Sequence, residues 1–179
     1  MLVKLRKKTV LIWSIVVLIL IVGGFYLLSN SNLIEYQGVE MKPSMDIADN
    51  LSASPQDQEF NRLVRTVGLD TFLHNQGPFT VFLPIDASYA KLPSDLLDKL
   101  SNPEEVGTIR QLVLYHVVKG KYLYKDLRDG MILETLQGKK LVFTKRKDNW
   151  LINNYAYLVT YDIVSKNGVI HTINTYMIP

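Results

Sequence analysis

The sequence predicts an α+β domain preceded by one transmembrane helix, and three observations carry that prediction. Apolar residues recur at helical spacing through the first half of the chain beyond residue 43. Strand-like alternation replaces them beyond Gly130. Ahead of both lies Thr9 to Leu28, an apolar run without a charged residue. Helices gathered before strands point to α+β rather than to alternating βαβ units.

The run Thr9–Leu28 spans about 30 Å as a helix, the thickness of a bilayer's hydrocarbon core. Lys4, Arg6, Lys7 and Lys8 stand in front of it, and no acidic residue precedes Glu35. The positive-inside rule keeps that cluster cytoplasmic and sends the rest of the chain to the other side. The division expected is a cytoplasmic basic tail over 1–8, a transmembrane signal anchor over 9–28, a linker over 29–43 and one domain over 44–179. A cleaved signal peptide, cut near Gly24 or Ser31, is the competing reading, but the run is longer than an ordinary signal core and lacks an A-x-A site. A buried core helix fits poorly, because the run is apolar on every face.

With the four N-terminal cations set aside, 16 of the 20 basic residues face 17 acidic ones, so the domain is near neutral. That excludes a nucleic-acid partner, which would need a basic surface on the domain. The absence of cysteine removes disulfides, thiolate metal sites and thiol nucleophiles.

Within the domain, Met45, Ile47, Ala48 and Leu51 have helical spacing, so a first helix starts near Pro43. Phe60, Leu63, Val64 and Val67 line a second helix, closed by Gly68. Phe79 to Leu83, after the turn Gly77-Pro78, reads as a buried strand ended by Pro84. Asp86 is placed to cap the turn that follows, and Ser94 to cap a helix through Leu96, Leu97 and Leu100. Asn102-Pro103 opens another helix, with Glu104 and Glu105 in its first turn and Ile109, Leu112, Val113 and His116 on its stripe, ending near Val118. Beyond Gly130 the candidate strands are 131–136, 140–144, 149–152, 156–161 and 169–176, with turns at Asn153-Asn154 and Asn167-Gly168 among the breaks.

Three stretches share the order and spacing of a known family. TVFLPIDASY (80–89), LVLYHVVKGKY (112–122) and GVIHTINTYMIP (168–179) resemble the motifs of the fasciclin domain, from about Ser44 to Pro179. The resemblance implies a wedge of two β-sheets packed with several short helices, and adhesion or extracellular binding rather than catalysis. Ile85, Tyr89 and Asn174 depart from the family's Thr, Phe and Asp, which bears on local hydrogen bonds. In animal members the central Tyr-His pair and a short Asp-Ile motif have been tied to receptor binding. Tyr115, His116, Asp162 and Ile163 are therefore the candidate partner-binding residues.

The residues also support plainer readings. His116 lies on an apolar stripe, which suits a buried, hydrogen-bonded imidazole. Val81, Leu83, Asp86, Val113, Val117, Val169, Ile170, His171 and Ile173 belong to the motif core. His74, His116 and His171 are the only histidines and have no metal-ligand spacing; a site of His116, His171 and Asp86 would need the fold to converge them. With no G-x-S-x-G and no cysteine, an enzyme is not expected, nor a cofactor or metal. Lys145-Arg146-Lys147, with Lys139 and Lys140, reads as a solvated hairpin tip that could touch anionic lipid or polysaccharide. Tyr155, Tyr157 and Tyr161 share a parity that suits either a core or a contact surface. Two functions follow: a membrane-tethered extracytoplasmic adhesion module for protein or glycan partners, or a small-molecule or lipid-binding module displayed at the membrane. An exposed, tyrosine-rich face favours the first, an apolar cleft the second.

Overall fold

The computed structural model describes residues 41–55 and 57–179. The basic tail, the run Thr9–Leu28 and the linker as far as residue 40 lie outside the described residues. Among the described residues no helix is long and apolar enough to cross a membrane.

Three helices open the domain: α1 (Ile47–Ala53), α2 (Gln58–Thr66) and α3 (Asp70–Asn75). Strand β1 (Phe79–Pro84) follows, then a 3-10 helix over Asp86–Lys91, α4 (Ser94–Ser101) and α5 (Val106–Tyr115). The remainder is β2 (Val117–Lys119), a 3-10 turn over Tyr124–Asp126, β3 (Ile132–Glu134), β4 (Lys140–Arg146), β5 (Asn149–Ile152), β6 (Ala156–Ser165) and β7 (Gly168–Ile173).

The strands form one seven-stranded sheet in the order β2-β1-β7-β6-β5-β4-β3. Only β1 and β7 run parallel; the other paired neighbours are antiparallel. A wedge of two sheets was expected; the two halves are continuous with one another here, joined through β6. Its start pairs with β5, while its length along β7 carries two register shifts, between Leu158 and Thr160 and between Thr160 and Ile163. Asp162 at the second shift has φ 61°. Such bulges bend a strand and raise its twist, so one strand serves both halves of a folded sheet. At the ends of the order, Val118 of β2 bridges Thr135 just beyond β3.

Strand alternation divides the interior in two. Val81, Leu83, Val117 and Ile170 face α1, α2 and α5 and meet Leu51, Phe60, Leu63 and Val113 there. Phe82 and Ile173 point the other way, into a core of Leu141, Phe143, Ile152 and Leu158. Every residue of β1 and of β7 is buried. These two strands can come close enough only because residue 168 is glycine: a Cβ there would collide with the Phe79 carbonyl oxygen.

Several local expectations change. The first helix begins at Ile47 rather than near Pro43, capped by Asp46, whose Oδ1 accepts from Asp49 N–H at 3.0 Å. Ser94 lies inside α4 instead of capping it, with Pro93 in the extended conformation before it. Asn102 forms its own turn by accepting from Glu104 N–H at 3.0 Å, so helix α5 starts only at Val106. That helix ends at Tyr115, not Val118, because Val117–Lys119 are taken by β1 as a strand. The three-residue strand is too short to show a period.

Ile170→Ala should lower stability by about 2–5 kcal/mol, the usual cost of truncating a buried aliphatic residue. Ile132→Ala on the exposed side of β3 should stay within about 0.5 kcal/mol; paired urea unfolding curves check both.

Candidate functional site

The Tyr-His pair closes α5. His116, fully buried, is the residue at which the helix stops and the chain turns into β2. Its Nε2 accepts from the Met177 N–H at 3.0 Å, so Nδ1 carries the proton and donates to the Leu112 carbonyl at 2.8 Å. The ring meets Phe60 at 5.2 Å and Tyr176 at 5.8 Å. A second proton would set Nε2 against another N–H donor in an apolar pocket. Burial accordingly pushes the His116 pKa down to about 4, partly offset by the bond to Leu112. Tyr115 is also buried, and its hydroxyl accepts from Asn153 Nδ2 at 2.9 Å.

His171 sits on β7 with the opposite tautomer. Nδ1 accepts from the Asp162 N–H at 3.2 Å and Nε2 donates to the Tyr122 carbonyl at 2.8 Å. Burial lowers its pKa, against smaller opposing effects from that bond and from the Asp162 charge. Asp162, at the bulge, accepts from the Tyr124 N–H at 2.7 Å. Ile163 is half-buried against the helix-side core. The bulge, His171 and the 122–124 loop thus form one hydrogen-bonded unit.

Asp86 does not cap the 3-10 helix that it begins. Its two carboxylate oxygens accept from the Gln58 and Glu59 N–H groups at 3.0 and 2.9 Å, capping α2 from across the chain. Ile85, in the place of the family's Thr, offers no hydroxyl, and Ser88 bonds the Ile85 carbonyl instead. Asn174 still supplies an acceptor, to the Tyr157 N–H at 2.7 Å. Val81, Leu83, Val113, Val117, Val169, Ile170 and Ile173 are enclosed.

His116, His171 and Asp86 do not gather into a metal-binding group. Among the described residues, the carboxylate and imidazole atoms that lie close together are those of Asp46, Asp49 and His74. There Asp46 is already occupied, by the α1 cap and by His74 Nδ1 at 2.8 Å.

Two polar residues with structural roles were not singled out in the sequence. Asp57 is buried before α2; its Oδ2 accepts from Ser54 Oγ at 2.6 Å and its Oδ1 has no partner. Burial, with the Asp86 charge adding to it, raises its pKa to about 6 against the opposing Ser54 bond. Asn167 holds three elements: its amide donates to the carbonyls of Leu73 and Gln76 at 2.6 and 2.8 Å, and its Oδ1 accepts from Ile47 N–H at 2.9 Å. The turn dipeptide marks this position, but not its reach to α1 and α3.

The exposed features lie on β3 to β6. Glu134 pairs Lys140, Ile132 pairs Val142, Thr144 pairs Leu151, and Leu151 pairs Tyr157, so side chains from four strands share the outer face in adjacent, offset rows. Ile132 is 56% exposed, Val142 38%, Tyr157 44% and Tyr155 46%, whereas the alternate residues Leu133, Leu141, Phe143 and Ile152 are core. Tyr161 does not join these rows. The register shifts turn it onto Tyr124, with ring centroids 4.1 Å apart, and Lys145 Nζ lies over the Tyr124 and Trp150 rings at 5.1 and 4.5 Å.

The family pattern described as Fasciclin domain matches residues 55–179. The chain belongs to the fasciclin family. It is 34% identical over 116 residues to protein sll1483 of Synechocystis sp., covering 65% of this chain and 63% of that protein. Transforming growth factor-beta-induced protein ig-h3 of Sus scrofa is 32% identical over 117 residues, 65% of this chain and 17% of the relative. Stabilin-2 of Rattus norvegicus is 35% identical over 108 residues, 60% and 7% respectively. The matched stretch therefore spans less than two thirds of each of these relatives. The fold is similar to part of a FAS1 domain pair from the insect cell adhesion molecule Fasciclin I, with TM-score 0.68 and 20% identity over 76% of this chain and 52% of that one.

The histidines and Asp57 act oppositely with pH. Between about 6.5 and 4 the unfolded chain binds a proton that folded His116 refuses, so its contribution is full above 6.5 and is lost toward pH 4. His171 acts in the same direction. For Asp57, with the folded pKa raised, stability is present below 3.8 and is lost as pH rises through about 6. Asp57→Asn should therefore raise the thermal midpoint at pH 7.5, and by a smaller margin at pH 5. His116→Ala should lower the midpoint at pH 7.5 and flatten its fall between pH 7 and 5. Thermal scans across that pH range read both effects.

Proposed function

We propose that the chain is a membrane-tethered interaction module that displays its fasciclin domain outside the cytoplasm and acts by binding. The observation that carries this reading is the outer face of β3–β6. Apolar and tyrosine side chains of neighbouring strands lie open there, while the opposite side of the same strands is packed core. A contiguous apolar patch on a folded domain marks a contact surface, and tyrosine gives such a surface area together with a hydroxyl. Adhesion fits the family, one solved member of which comes from an insect cell adhesion molecule.

The Tyr115-His116 pair and Asp162-Ile163 have a different part in this reading. Both ring nitrogens of His116 and the Asp162 carboxylate are engaged inside the domain, so these residues support the fold, and contact falls to the sheet face. The tether rests on the sequence: a basic tail, then Thr9–Leu28 without charge.

A reporter that works only outside the cytoplasm should be active when fused after Pro179. Activity of a cytoplasm-only reporter at the same point would refute the topology. Tyr155→Ala/Tyr157→Ala should abolish adhesion of cells displaying the full chain with only a small loss of thermal midpoint, that of the Tyr155 hydroxyl's bond from the Ile178 N–H. Retained adhesion by that variant, together with loss in a Tyr115→Phe variant of unchanged midpoint, would return the contact to the Tyr-His region.

A further inference from the structure

The outer face of β3–β6 has a charge pattern as well as an apolar row, and the two together specify a partner. Alternation along β4 puts Lys140, Val142, Thr144 and Arg146 on that face. Its two cations stand about 20 Å apart at 3.3 Å per residue, with the apolar positions between them. Lys139 and Lys147 extend the same sign beyond each end. From residue 139 to residue 147 there are five cations and no acid. The acidic groups nearby are Glu134, directly across from Lys140, Asp129, whose Oδ1 accepts from the Lys145 N–H at 2.7 Å, and Asp148 at the hairpin tip. Lys145 is the cation turned away, over Tyr124 and Trp150.

We infer that this face binds an anionic polysaccharide, laid along β4 with sugar faces against Tyr157, Val142 and Ile132 and its acidic groups near Lys140 and Arg146. The inference rests on the contact face proposed above and names its partner. A sheet face carrying exposed rings offers area to the apolar face of a sugar. Cations at both ends of an extended track suit a charge that repeats along a polymer. A second copy of this chain would bring the same cations against these, and like charges at an interface disfavour that pairing. A bilayer would meet the same cations, but here the apolar side chains lie on the strands of a sheet rather than on a protruding loop.

The test uses the full chain in detergent, with polygalacturonate as a carboxylated probe, dextran sulfate as a sulfated probe and neutral dextran as the control. Vesicles of equal parts phosphatidylglycerol and phosphatidylcholine form a separate arm. Both polyanions should bind, neutral dextran far more weakly, and affinity should fall as salt rises. Lys140→Glu/Arg146→Glu and, separately, Tyr157→Ala should each weaken binding by about tenfold or more, the scale of a central contact residue. Thermal midpoints of both variants should match the parent, since all three positions lie on the outer face. Binding of vesicles but not of polyanions would overturn the inference in favour of a lipid surface. Equal polyanion binding by parent and variants would overturn it too. If Tyr155→Ala/Tyr157→Ala abolishes cell adhesion while no polyanion binds, the contact face stands and the glycan identity fails. If adhesion survives that double change, the contact face itself fails.

Discussion

The parallel pairing of β1 with β7 is the constraint on which the rest of the domain depends. Strands of a parallel pair buried on both faces need apolar side chains in both directions. FTVFLP and GVIHTI supply them, with every residue enclosed. Helices α1, α2 and α5 cover one face and the curled remainder of the sheet covers the other. The pair also needs close backbones at its start. Gly168 allows that approach, and Asn167 beside it ties the same corner to α1 and α3.

Polar residues within the motifs satisfy the places where this packing leaves backbone groups stranded. Met177 N–H and the Leu112 carbonyl meet on one imidazole, and Asp162 N–H and the Tyr122 carbonyl meet on another. A neutral histidine can do this because one ring nitrogen donates while the other accepts. Asp86 similarly serves two N–H groups at the start of α2. Each of these three side chains joins segments far apart in sequence, and each belongs to a motif by which the family was recognised. A motif of this kind is a record of long-range hydrogen bonds as much as of function.

The sequence made some of this legible and hid the rest for definable reasons. Helix α2 and strand β5 could be read because their apolar spacing is set by the core that they face. The burial of His116 was readable from its place on the stripe with Ile109 and Leu112. Strand β2 was hidden because three residues following a helix carry no period, and only pairing with β1 makes them extended. The cap by Asp86 was assigned to the nearest helix, as local reasoning must, while its actual partners are 27 and 28 residues earlier. The shared parity of Tyr157 and Tyr161 suggested one surface. The bulges of β6 separate them, and no single-strand pattern reveals where an extra residue will be inserted.

The bridge from Val118 to Thr135 has a consequence for how anything can attach. Leu136 N–H also donates to the Val117 carbonyl at 2.7 Å, so the outermost strands lean on one another. An unpaired strand margin is a template on which a foreign chain can extend the sheet through main-chain bonds that ignore sequence. Here the margins are engaged with each other, and a visitor meets side chains instead. Recognition through side chains is chemically selective. The same closure protects the domain from its own kind, since two copies that meet find, among the described residues, the two ends of the strand order already engaged with each other.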